Sequence, residues 1–402
     1  MMSAGRGRFA DLTAATRADF EVVQRWAFLD NSFIGPMPRA VKAAGLRHLA
    51  ARAADETDVF GLLATVDRVR TKFSRLIGAD ASEIGFLYTT SEAENVVARA
   101  LDLQPGDNIV TGDLAYPHTL VLGRHLERTL GIELRIARHR NGRLGLEDFL
   151  PLIDARTRLV TVPWVSNINA LRHPVRGLAD AAHAVGALLL VDAVQIVGTE
   201  RLDVVAEGID LLCTGCYKWL MAGFGVAPFY VRKDLQDRIV PDRQGWQTAL
   251  REREADGGLR HRSTAARFEY ATPAFDTYPL VEAAIDYLEE VGLDRIHAHS
   301  RRWLGAARSE LESAGFEIFT PPGNVAAAMS FWVGAGDKEV DAAFRAAGVR
   351  VGFASGSRIT ETYGANVERC RVRISPAHYN DGEDLERFLQ VVSGLPRYRP
   401  EG

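Results

Sequence analysis

The stretch ALLLVDAV, Ala187 to Val194, is apolar at every position before Asp192. A strand that shows polar residues on neither face must be covered on both, as in a parallel sheet sandwiched between helices. The run has companions. EIGFLYTT (Glu83 to Thr90), DNIVTGD, IELRIARH, TRLVTVPWV, IDLLCTG and VAPFYVRK read as further strands. Between them, AENVVARALDL, HTLVLGRHLERTLG, LEDFLPLI and VRGLADAAHAVG carry helical patterning, two of them ending at Gly131 and Gly186. Alternating strands and helices predict an α/β sheet with helices on both faces.

The pattern changes after residue 278. YPLVEAAIDYLEEVGLDRIHAHSRRWLGAARSELESAG reads as one or two long helices. Two short strands, AMSFWV and CRVRIS, and a last helix, GEDLERFLQVVSGL, complete a smaller α+β unit. Three parts are expected: an N-terminal segment, 1–40, packing with the small domain; a large α/β domain, 41–280; and a small domain, 281–402.

Composition closes off several functions. A net charge of −4 over 402 residues, without any lysine- or arginine-rich block, argues against nucleic acid as a partner. The first residues lack the apolar core of a signal peptide, and no apolar run approaches a membrane span. A soluble, cytoplasmic protein with no membrane partner is expected. There are three cysteines. Cys213 and Cys216 form a C-x-x-C, but no second ligand pair accompanies it, so it reads as two small core residues and not a metal site.

In open α/β sheets, ligands bind beyond the carboxyl ends of the strands. EIGFLY is followed by TTSEAENV, hydroxyls opening a helix whose N-terminus suits a phosphate. DNIVTGD is followed by LAYPHT, TRLVTVPW by VSNINA, and ALLLV by Asp192 with Gln195 three residues on. IDLLCTG is followed by Tyr217 and Lys218, a lysine set among aromatic and glycine residues. Each residue alone has a bland explanation as a cap or a loop satisfier; their recurrence at successive strand ends does not. Pyridoxal phosphate needs a lysine for its Schiff base, an acid beside the pyridinium nitrogen, a phosphate cradle and a ring against its face. The candidate cofactor is therefore pyridoxal phosphate. GFGVAP leads into a strand, so dinucleotide binding is poorly supported.

VDAVQIVG, 26 residues ahead of the lysine in CTGCYKWL, resembles the class V aminotransferase family of fold-type I pyridoxal phosphate enzymes, which includes cysteine desulfurases, isopenicillin N epimerase-like enzymes, C–S lyases and kynureninases. The resemblance runs from FLDNSFIGPMP to VRISPAHYN. It implies a large domain with a mostly parallel seven-stranded sheet. It implies that Lys218 binds the cofactor and moves the substrate's Cα proton, and that Asp192 pairs with the ring nitrogen. Gln195 and Asn167 would reach the ring oxygen, and Tyr116 would stack where the family usually has a histidine. Ser91, Glu92 and Ala93 would offer backbone and hydroxyl donors to the phosphate, with Tyr217 reaching it also. Thr272 matches a threonine that reaches the neighbouring subunit's phosphate, which implies a homodimer. Arg373 would clamp the substrate carboxylate.

Within RVGFASGS, read as a loop, Arg350, Gly352 and Ser355 match a desulfurase motif, but Ser355 stands where the persulfide-carrying cysteine would be. Serine cannot accept sulfur. Asn31, Ser32, Phe33 and Trp246, together with Arg350 and Ser355, are expected around the substrate. The expected reaction is C–S lyase β-elimination on a cysteine conjugate. Epimerisation, decarboxylating deamination and transamination are the alternatives; desulfuration, kynureninase-like hydrolysis and a non-catalytic cofactor-binding protein rank lower.

Overall fold

The computed structural model describes residues 9–253, 259–355 and 370–398; the side chains of residues 10, 11, 249–253, 259–261, 354 and 355 lie outside that description. Its strands are β1 (Ala27–Leu29), β2 (Ile84–Leu87), β3 (Asn108–Gly112), β4 (Glu133–Ala137), β5 (Thr157–Pro163), β6 (Leu188–Asp192), β7 (Leu211–Cys213) and β8 (Ala227–Val231). There follow β9 (Ala249–Arg253), β10 (Leu259–His261), β11 (Met329–Val333), β12 (Val349–Ser355) and β13 (Cys370–Ile374).

The large sheet has the order β2-β8-β7-β6-β5-β3-β4, and β8 alone in it runs against its neighbours. Its all-apolar strands divide their side chains between two cores. Leu189, Val191, Val160, Val162 and Leu212 belong to one. Leu188, Leu190, Leu159 and Leu211 belong to the other. Strand side chains alternate faces, so a continuous apolar run is what a doubly covered strand requires.

The second sheet has the order β1-β12-β13-β11, with β1 parallel to β12 and the rest antiparallel. A separate core of Leu29, Trp303, Phe331, Val349, Val372 and Phe388 packs beneath it. Residues 349–355 are thus a strand and not the loop read from RVGFASGS. Val349 and Val351 are buried while Arg350 and Gly352 fall on the opposite face. The glycines and arginine hid that two-residue period.

The helix Tyr278–Val291 crosses the boundary drawn at 280/281. Its Val281, Ile285 and Leu288 join the large-domain core, where it packs against the helices Arg39–Ala53 and Val59–Leu76. After β1 the chain turns toward the large sheet, and the Gly35 amide donates to the Tyr217 carbonyl at 3.0 Å. No helix among the described residues is long and apolar enough to cross a membrane.

Candidate active site

Five strand ends of the large sheet, those of β2, β3, β5, β6 and β7, converge on one recess. It is lined by Thr90, Tyr116, Pro163, Asn167, Asp192, Gln195, Tyr217 and Lys218, among others.

Lys218 lies five residues beyond β7. Its turn closes through Met221 N–H to the Lys218 carbonyl at 3.0 Å and Ala222 N–H to the Cys216 carbonyl at 2.9 Å. Gly35 and Gly198 let two segments lie against this turn: a side chain at 35 would collide with the Lys218 carbonyl, and one at 198 would stand 2.6 Å from that of Trp219. The lysine is 8% exposed. Burial and the nearby Arg373 charge bring its amine down to about 8, against the opposing pull of Asp192 and Asp30. Such an amine is about one-tenth neutral at pH 7.

Asp192 ends β6, and its Oδ1 accepts the Val194 N–H at 2.8 Å. Burial pushes its carboxyl upward, an effect opposed by that hydrogen bond and by Lys218. A cation beside it would favour the ionised form.

Three polar atoms here are buried without a partner: Asn167 Oδ1, Ser32 Oγ and Arg373 Nε. Unpaired buried polar atoms are rare in folded proteins, and a ligand accounts for them. The VSNINA loop is locked around Asn167. The Ser166 hydroxyl donates to the Leu114 carbonyl and Asn169 Nδ2 to the Gly142 carbonyl, both at 2.8 Å. Arg373, on β13, donates from Nη1 to the Asn167 carbonyl at 2.6 Å and from Nη2 to Asp30 Oδ1 at 3.4 Å. Burial works against its charge, with Asp30 opposing, and its Nε has no acceptor.

The other expected residues divide. The Gln195 amide is engaged by the Ser32 carbonyl at 3.0 Å and by Trp219 Nε1 at 3.2 Å, which leaves one of its N–H bonds for the recess. The Tyr217 ring stacks on Phe224 with centroids 4.4 Å apart. Tyr116 caps the helix Pro117–Leu130 and is half exposed. The helix Thr90–Ala100 begins at Thr89, whose hydroxyl accepts the Glu92 N–H at 3.1 Å. The Ala93 N–H already serves the Thr89 carbonyl. Within the first turn this leaves the N–H groups of Thr90 and Ser91 without a bond from the helix itself. Thr90 stands in the same TTSE motif as the expected donors Ser91 and Glu92 and precedes them at the helix start.

Asn31 is fully buried and used by the fold: Nδ2 donates to the Ser375 carbonyl at 2.8 Å, and Oδ1 accepts from the Tyr379 hydroxyl at 2.9 Å. The residue of LDNS that meets Arg373 is its neighbour Asp30, which sequence reasoning passed over; it pairs with Arg373 and also feels Arg350 and Lys218. Arg350 lies on β12 opposite Phe28. Ser355 ends that strand opposite Cys370, with its side chain outside the described residues. Trp246 and Phe33 are mostly exposed and are not among the residues lining the recess. Thr272 is exposed, and its carbonyl accepts the Tyr88 hydroxyl at 2.6 Å.

Pyridoxal phosphate fits these residues: an amine of lowered basicity, a half-buried acid, a helix N-terminus with two amides that the helix itself does not bond, and unpaired polar atoms for ring and carboxylate oxygens. Among the described residues, no group of three or more His, Cys, Asp or Glu could hold a metal ion.

The class V aminotransferase profile matches residues 43–388. A probable cysteine desulfurase of Methanothermobacter thermautotrophicus is 29% identical over 329 residues, covering 79% of this chain and 81% of its own. A cysteine desulfurase of Dickeya dadantii is 30% identical over 308 residues, covering 70% and 72%. The apo cysteine desulfurase structure from Thermococcus onnurineus superposes with a TM-score of 0.84 at 26% identity, covering 98% of both chains. The cystine C–S lyase C-DES, solved with cysteine persulfide, has a TM-score of 0.83 at 16% identity and so shares the fold. With its seven-stranded sheet, its lysine–aspartate pair at neighbouring strand ends and a match over most of its length, the chain belongs to the class V aminotransferase family of pyridoxal phosphate enzymes.

Proposed function

We propose that the protein is a C–S lyase that eliminates a thiol from a cysteine conjugate with pyridoxal phosphate as cofactor. The observation that carries this reading is the state of its thiols. The chain has three cysteines, and Cys213, Cys216 and Cys370 are all buried within the fold. Burial pushes the Cys213 and Cys216 thiols upward, away from the reactive thiolate. A desulfurase must carry sulfur on an accessible cysteine, whereas a lyase releases it as free thiol.

Pyridoxal phosphate, when bound, supplies the carbonyl that condenses with an amine and the electron sink for the Cα–H bond. The residues supply the rest. Arg373 receives the α-carboxylate through its unpaired Nε, with Asp30 holding the other side of the guanidinium. The Lys218 amine, neutral in part near pH 7, takes the Cα proton and can return it to the departing sulfur. The Cβ–S bond then breaks with its electron pair on sulfur. Water completes the balance: conjugate plus water gives thiol, pyruvate and ammonium.

Exposed Phe33, Ile34 and Phe224 adjoin the Tyr217–Lys218 turn, and with exposed Thr272 they support a homodimer whose second subunit covers the recess. Incubation of the cofactor-loaded protein with an S-alkyl cysteine tests the reaction. Equal amounts of pyruvate, ammonia and thiol are expected, and none from Lys218→Ala. Alanine with a protein-bound persulfide would replace this reading by desulfuration, and racemised substrate by epimerisation.

A further inference from the structure

The helix that opens toward the recess carries an acid in its first turn. Glu92 is its third residue, with a side chain only 10% exposed. One carboxylate oxygen accepts the Tyr88 N–H at 2.8 Å. The other is bonded by Nη1 of Arg243. Arg243 arrives from the segment 241–248, outside the large sheet, and is not among the residues lining the recess. It is held in place from two further directions. Its guanidinium lies 5.5 Å from the Tyr270 ring centroid. Its Nε stands 3.3 Å from Asp242 Oδ2, and Asp242 in turn has Arg99 Nε at 3.8 Å. The cluster therefore balances two carboxylates with two guanidinium groups.

That balance matters because of where Glu92 sits. A carboxylate at a helix N-terminus is favourable for the helix alone. A phosphate dianion brought to the same terminus is a second anion competing for the same field, and an unpaired Glu92 would repel it at close range through a partly dry medium. An ion pair removes most of that repulsion while leaving Glu92 its bond to Tyr88.

We propose that Arg243 is a positioning residue for the cofactor: by neutralising Glu92 it allows the Thr90–Ala100 helix to accept the phosphate group. This rests on the pyridoxal phosphate reading above. It assigns Arg243 no contact with the reacting atoms.

The full chain, stripped of cofactor, is titrated with pyridoxal phosphate and separately with pyridoxal, which has the same ring without the phosphate; tryptophan fluorescence reports binding. Wild type is compared with Arg243→Ala, Glu92→Gln and the double variant. Arg243→Ala is expected to weaken pyridoxal phosphate binding by about tenfold or more, from the Coulomb repulsion it uncovers, and to leave pyridoxal affinity unchanged. Glu92→Gln keeps an acceptor for Tyr88 and should bind pyridoxal phosphate as tightly as wild type or more so. The double variant should recover to within about threefold of wild type, since the repelling charge is gone. Unchanged binding by Arg243→Ala, a parallel loss for pyridoxal, or no recovery in the double variant would overturn the assignment of Arg243 while leaving the cofactor reading intact. Failure of wild type to bind pyridoxal phosphate overturns both. Should Arg243→Ala fail to fold, the Glu92→Gln variant decides alone: weaker pyridoxal phosphate binding than wild type sinks the proposal.

Discussion

Gly352→Ala tests the carboxylate clamp with a single methyl group. Gly352 pairs with Arg373 across β12 and β13. A Cβ there would stand 2.8 Å from Asp30 Oδ1 and 3.3 Å from both Nε and Nη2 of Arg373. A carbon cannot rest 2.8 Å from a carboxylate oxygen, so one of the two heads must move. Arg373 is tied to the Asn167 carbonyl at 2.6 Å and to Asp30 at 3.4 Å, and the longer bond is the one that gives. The new methyl also crowds Nε, the group left free for substrate. Losing one hydrogen bond to a charged partner costs about 1.5–3 kcal/mol. At about 1.4 kcal/mol per decade this is roughly a ten- to hundredfold rise in KM for the amino-acid substrate. Gly352 is not one of the positive-φ glycines, so alanine adds no backbone strain. Melting temperature and cofactor affinity should therefore stay near wild type. Steady-state kinetics on the loaded enzyme, with a thermal melt and a cofactor titration alongside, measure all three. An unchanged KM would refute the role given to Arg373, and a fall in cofactor affinity as large as the rise in KM would show a general collapse of the site.

Other expectations follow from single groups. Asn31→Ala should lower stability by about 1–3 kcal/mol, because it strands the buried Tyr379 hydroxyl and removes one of the two bonds to the Ser375 carbonyl; a denaturant melt shows this, and a rise in KM with no loss of stability would contradict it. Glu94 is buried beside Asp192, which together raise its carboxyl to about 8. The folded chain therefore keeps a proton that the unfolded chain releases above about 4.5, and that stabilisation is present at low pH and lost as pH rises to 8. Glu94→Gln should flatten the stability profile over that window, and an unaltered profile would show that Glu94 is already ionised. Native protein should resist thiol alkylation and keep its activity, with three sites labelled only after denaturation; labelling of the folded chain with loss of activity would revive a cysteine-carried sulfur.

Much of this was legible in the order of residues. ALLLV followed by Asp192, and IDLLCTG followed by Lys218, combine a doubly buried strand with a polar residue at its carboxyl end, and a parallel sheet has little choice about where those ends lie. That logic is local, so the large sheet and the lysine–aspartate pair could be read without coordinates. The small sheet was harder: β12 keeps its alternation, but Gly352 carries no side chain to mark the outer face, and the glycines of RVGFASGS read as a loop.

Side-chain employment was decided only by the tertiary structure. Asp30 and Asn31 are adjacent and equally polar, yet strand geometry sends one to Arg373 and the other into the Tyr379–Ser375 network. Glu92 is an ordinary first-turn acid until Arg243, 151 residues away, is folded against it. Sequence determines which strand ends can hold chemistry, because the hydrophobic period is written over a few residues. Which charge meets which depends on close approach between distant segments, and such distances exist only once the chain has packed.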